Sequence, residues 1–255
     1  MWNILYTEML KMKRASMIKA GIIIIGLSCV FSSIPLFAAD TTAKDFTLLM
    51  RNILESNCIY FSPVLTTLLG SYMMEREISD NTLKNILLIP LSFQKILFGK
   101  LIVLLFMVIL FGAGNSLLGG LLGIILKLPG INIMNFCLWS IRLIFANILI
   151  FVAVLPITII AACKEGAMLA GTAVSFVYGF IATIDWKPMN YYPITAAMII
   201  TNPIYSEDYE WLHYSKNIAG IVIVIVFLIS LILITRMHPL ESKRKSLKVA
   251  RKKGW

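Results

Sequence analysis

Charge is scarce in this 255-residue chain, at 14% of residues, and over six long stretches it is missing altogether. No Asp, Glu, Lys, Arg or His occurs in 20–37, 57–74, 101–126, 143–163, 167–184 or 217–235. Ion-coupled carriers usually keep ionisable groups inside their spans, so these empty runs speak against a built-in proton or cation relay. Other chemistry is missing too. There is no G-x-x-x-x-G-K-[ST] loop to cradle nucleotide phosphates, no H-E-x-x-H metalloprotease spacing and no G-x-S-x-G nucleophile elbow. The four cysteines, Cys29, Cys58, Cys137 and Cys163, show no C-x-x-C spacing and read as small apolar residues with free thiols. No catalytic, metal-binding or cofactor-binding residue is expected in the chain.

What remains is hydrocarbon. Hydrophobic residues make up 59% of the sequence, and the mean hydropathy is +0.86, more than a soluble core of this size has to bury. Each empty run approaches the roughly 20 residues needed to cross a bilayer, so the expected fold is an all-α membrane protein with six transmembrane helices. The clearest span contains GIVIVIVFLISLILI, and Pro63 and Pro156 are expected to kink the second and fourth. Ahead of the first span, residues 1–19 carry apolar residues near helical spacing with Trp2, Tyr6, Lys11, Lys13 and Arg14, the pattern of an in-plane interfacial helix. A signal peptide is the weaker reading, because 20–37 exceeds an h-region and no A-x-A site precedes Asp40.

Basic residues orient the bundle. Only Lys44, Arg51, Lys127, Arg142, Lys187 and Lys216 fall on one side, leaving 17 of 23 on the other, so both termini and the 75–100 loop are expected in the cytoplasm. The basic tail, 237–255, then faces anionic lipid headgroups rather than nucleic acid.

The organising stretch is EREISDNTLKNILLIPLSFQKILFGK, starting at Glu75. Glu77, Asp80 and Lys84 share one helical face while Leu83 and Leu87 lie on another, and Pro90 stops the run, predicting an amphipathic helix over 75–90. Between spans five and six, 185–216 holds three prolines, the short apolar piece ITAAMII, and a group of aromatics and acids. It is expected to lie in the outer interface or to re-enter it. Tyr191, Tyr192, Tyr205, Glu207, Asp208, Glu210 and Trp211 are its candidates for meeting a cationic amphiphile, with an aromatic belt as the alternative. On the third span Gly112, Ser116 and Gly120 allow close helix approach, either inside one protomer or at a dimer seam, and Asn115 is placed for an interhelical bond.

The pattern formed by Glu75, Glu77, Thr82, Leu83, Lys84, Leu87, Leu88, Pro90, Ser92, Ile96 and Lys100 resembles the permease subunits of ABC-2 type transporters. The opening EMLKMKRASM from Glu8 is similar to the small permeases of the bacitracin and lantibiotic resistance or immunity branch. The resemblance implies one domain over 1–236 in a bacterial cell membrane. Its loop at Glu75, Glu77, Asp80, Thr82, Leu83, Lys84, Leu87 and Pro90 would be a coupling helix seated in a separate ATPase. It also implies two cytosolic ATPase subunits holding ATP and Mg, a second permease, identical or homologous, and export of an amphiphilic peptide or lipid-like substrate. An ion-driven carrier or channel, and a membrane anchor or sensor that transports nothing, are the rival readings.

Overall fold

The computed structural model describes residues 6–10, 16–38, 44–79, 93–184, 187–202 and 215–237, and every regular element among them is helical. Residues 6–10 are followed by α1 (Ser16–Ala38), α2 (Phe46–Ser56), a π-helical turn (Asn57–Phe61), α3 (Ser62–Ser79), α4 (Phe93–Ile125) and α5 (Ile133–Ala162). After these come α6 (Met168–Ile181), a 3-10 turn (Lys187–Tyr191), α7 (Pro193–Thr201) and α8 (Lys216–Arg236). The central helix is α5, which packs against α3, α4, α6, α7 and α8. One apolar cluster gathers Phe46, Ile53, Leu143 and Ile150, and a second gathers Leu69, Leu97, Leu104 and Ile159.

The outside of the bundle is as apolar as its inside. Ile22, Ile124, Val177 and Val224 are each more than half exposed, an arrangement that suits a bilayer as the surrounding solvent. Four described helices are long and apolar enough to cross one: Lys19–Phe37, Phe93–Ile125, Ile133–Ala162 and Lys216–Arg236. The other two expected spans take different forms. The second belongs to a helical run over residues 46–79 that carries Arg51 and Glu55 near one end and Glu75, Arg76 and Glu77 near the other. The fifth is the 14-residue α6, closed by a turn at 182–184.

Two boundaries are corrected. The third span begins at Phe93 rather than Leu101, which puts Lys100 inside the membrane helix. Glu75 and Glu77 belong to the last turns of α3, not to a separate helix starting at 75, because Glu77 is drawn into the bundle by an ion pair described below. The rest of the expected coupling helix, with Asp80, Thr82, Leu83, Lys84, Leu87 and Pro90, lies outside the described residues. So does the basic tail beyond Met237.

Several buried polar side chains are neutral and bonded across helices. Ser28 donates to Asn115 Oδ1 at 2.8 Å, joining α1 to α4. Asn147 Oδ1 on α5 accepts from Ser62 at 2.7 Å and from Asn57 at 3.4 Å, while its own amide donates to Leu143 O at 2.9 Å. With no water in hydrocarbon to accept these groups, such pairing lets them stay buried. The segment ITAAMII becomes most of α7, too short to span, and its residues Ile194 to Ile199 are all 0–2% exposed against α5 and α8.

The run over 46–79 changes its winding at Asn57–Phe61, just ahead of Pro63. Ser62 N–H reaches back five residues to Asn57 O, and Pro63 has no N–H to offer the carbonyl of Ile59 four residues back. Gly179 of α6 closes over that carbonyl so tightly that a Cβ there would overlap the Ile59 oxygen. Gly179→Ala should therefore destabilise the protein by about 1–3 kcal/mol. Gly26→Ala, where a Cβ meets nothing within 4 Å, should not, and thermal unfolding in detergent compares the two.

Candidate functional site

Three parts of the chain meet at one buried cation. The Lys100 ammonium on α4 lies 2.7 Å from Glu8 Oε2 in the 6–10 helical stretch and 2.9 Å from Glu77 Oε1 at the end of α3. It also donates to the Met73 carbonyl at 3.1 Å. An ammonium has three N–H donors, and each has a partner here. All three side chains are buried, with Lys100 2%, Glu8 6% and Glu77 5% exposed. Ions so far from water are costly unless paired, so each side chain holds the others in place.

The position of this triad matters as much as its strength. Glu77 is itself one of the residues expected to couple, and its ion pair with Lys100 joins the end of α3 to the early turns of α4, while Glu8 ties in the N-terminal stretch. Glu75, one turn before Ser79, is half-buried, and its Oε2 has no hydrogen-bond partner among the described residues. Arg76 faces outward. Of the expected coupling residues, then, the structure brings Glu77 into a defined contact and leaves Glu75 at the edge.

Sequence reasoning missed the pairing. It counted Lys100 among the basic residues flanking the membrane and gave Glu8 no partner. The signal was present: an acid at the end of one helix and a base near the start of the next, antiparallel one, stand at one depth.

Near the other end of the 46–79 run, Arg51 and Glu55 of α2 pair at 2.9 Å, and Asn202 Nδ2 donates to the same Glu55 oxygen at 3.0 Å. This fixes the chain where it leaves α7. Tyr191 is 63% exposed, whereas Tyr192 packs its ring 5.0 Å from that of Tyr178 and donates its hydroxyl to the Tyr178 carbonyl. Tyr205, Glu207, Asp208, Glu210 and Trp211 lie outside the described residues. On α4, Gly112, Asn115, Ser116 and Gly120 turn inward. A Cβ at 112 would sit 3.0 Å from Ile144 Cα, and one at 120 would sit 2.6 Å from the Phe136 ring, both on α5. No group of three His, Cys, Asp or Glu among the described residues is arranged to hold a metal ion.

The molecule is thus a bundle of apolar helices whose buried charges at the end of α3 and in α4 are paired. The family described as ABC-2 family transporter protein matches residues 4–182. The chain belongs to the ABC-2 family. As an ABC-2 protein it is a membrane permease subunit of an ABC transporter, with several apolar helices, and its family generally supplies the non-catalytic membrane subunit that associates with ABC ATPase partners. No curated protein matches the chain. The matched part of this permease contains all of Glu8, Glu77 and Lys100 and stops before α7 and α8.

The triad predicts its own mutational signature. Lys100→Met would leave two buried carboxylates facing each other and should cost about 3–5 kcal/mol of stability. Combining Lys100→Met with Glu8→Gln and Glu77→Gln should recover part of the loss, read as the unfolding temperature of the purified permease.

Proposed function

We propose that this permease is the six-crossing membrane half of an ATP-driven exporter in a bacterial cell membrane, with both termini in the cytoplasm. Two cytosolic ATPase subunits hold Mg and ATP and grip the segment between Glu77 and Lys100. A second permease, identical or homologous, completes the bundle. The proposed cargo is a membrane-active antimicrobial peptide of the lantibiotic or bacitracin type, moved away from the membrane it would damage. The basic tail rests on anionic headgroups.

One observation carries the reading: the Glu8–Lys100–Glu77 triad. A buried ion pair ties together the end of α3, the early turns of α4 and the N-terminal stretch, on either side of the 80–92 segment. Force applied to that segment by a partner is passed to two membrane helices and the N-terminal stretch together, which is what a permease without its own motor requires.

Because Glu77 is part of that triad, the docking test leaves it intact. Glu75→Lys combined with Asp80→Lys should reduce co-purification of the ATPase from native membranes, with the unfolding temperature of the permease unchanged; undiminished co-purification would refute docking through these charges. The cargo is tested separately. Neutralising Glu207, Asp208 and Glu210 should make expressing cells more sensitive to cationic peptide antibiotics, and unaltered sensitivity would remove those acids from substrate capture.

A further inference from the structure

An apolar groove of about 880 Å³ opens on the side of the bundle, between the 6–10 stretch, α1 and the outer face of α4. Of its lining side chains only Tyr6 carries an oxygen or nitrogen, so its occupant must be hydrocarbon. At Leu117 and Leu121 the groove joins a second apolar hollow of about 540 Å³ that continues along α4 to Ile124. From Phe106 to Ile124 this rises about 27 Å at 1.5 Å per residue, close to the thickness of a bilayer's hydrocarbon core.

Two features choose among hydrocarbon occupants. The first is the character of the walls. Close helix–helix contacts in membranes favour small residues, and α4 has already turned Gly112, Ser116, Gly119, Gly120 and Gly123 inward against its own bundle. The outer face keeps branched and aromatic side chains such as Phe106, Leu110 and Leu117, each 40–60% exposed, which suit flexible chains better than a second rigid helix. The second feature is the charge at the mouth. Tyr6, Met9 and Leu10 form one face of their stretch and line the groove, while Glu8 points the other way, into its ion pair with Lys100. The exposed Lys19 stands one turn before Ile22, a wall residue on the same face of α1.

We infer that the groove is a binding site for an anionic phospholipid, its acyl chains lying along α4 and its phosphate held at Lys19. The site is separate from the coupling segment and from the outer acids, and it stands whether or not the proposed cargo is right.

The full-length permease, purified and stripped of lipid, is incubated with vesicles of equimolar phosphatidylglycerol and phosphatidylcholine, and retained lipid is counted by native mass spectrometry. The permease should keep phosphatidylglycerol over phosphatidylcholine, with Lys19 contributing roughly fivefold of the preference, as expected from one surface lysine. Lys19→Glu should lower the preference at least about fivefold while leaving apolar retention, and Gly114→Trp, which fills the groove, should reduce retention of both lipids. Gly26→Trp, on open helix surface, should change neither. Equal retention of the two headgroups by the unmodified permease overturns the proposal. It is also overturned if Gly114→Trp, with an unchanged unfolding temperature, retains as much lipid as before. A third overturning result is efficient disulfide formation between two copies through Leu110→Cys or Leu117→Cys, which would give the groove to a second permease.

Discussion

The structure depends on a paired charge held out of water. Lys100, Glu8 and Glu77 would each be intolerable alone where they are, and together they fix the depth and angle at which α3, α4 and the N-terminal stretch meet. Hydrophobic packing cannot do this in a membrane, because a leucine is as comfortable against lipid as against another leucine. Register in hydrocarbon is set by polar contacts and by close packing at small residues instead. The triad sets it at one end, and the Arg51–Glu55–Asn202 group sets it at the other.

Between these ends the register is kept by neutral groups. Asn115 and Asn147 each join two or more elements, and both sit on the inner faces of the two helices that run deepest through the bundle, α4 and α5. Amides and hydroxyls suit this role, since they bond with direction yet carry no charge whose burial would have to be offset. The same economy applies to the backbone. Where Pro63 removes a donor, the neighbouring helix supplies a glycine that can lie directly on the exposed carbonyl.

Much of the architecture could be read from the sequence because long uncharged runs have few physical alternatives, and the first, third, fourth and last spans are found as apolar helices near their expected places. The readings that shifted did so for one reason: composition marks where charge stops, not where a helix stops. Lys100 ended the predicted third span because it is charged, yet the helix runs on through it to Phe93, since two carboxylates from elsewhere in the chain make its burial possible. Glu75 and Glu77 were assigned to a loop helix by the same rule, and α3 carries both. Partners distant in sequence leave no trace in periodicity. Asn115 and the glycines of α4 were legible as packing groups, because spacing reports a helix face directly, but nothing in the spacing said which neighbour they would meet.

The π-helical turn at Asn57–Phe61 takes up one residue more than an α-helical turn would. That surplus residue rotates everything beyond it by about 100° around the helix axis. One continuous rod shows Leu49, Met50 and Ile53 to one cluster before the turn and Leu65, Leu69 and Met73 to the other after it. The permease thus gains a bend in its pattern without a break in its chain, and removing a single residue there would leave the rod intact but aim half of it the wrong way.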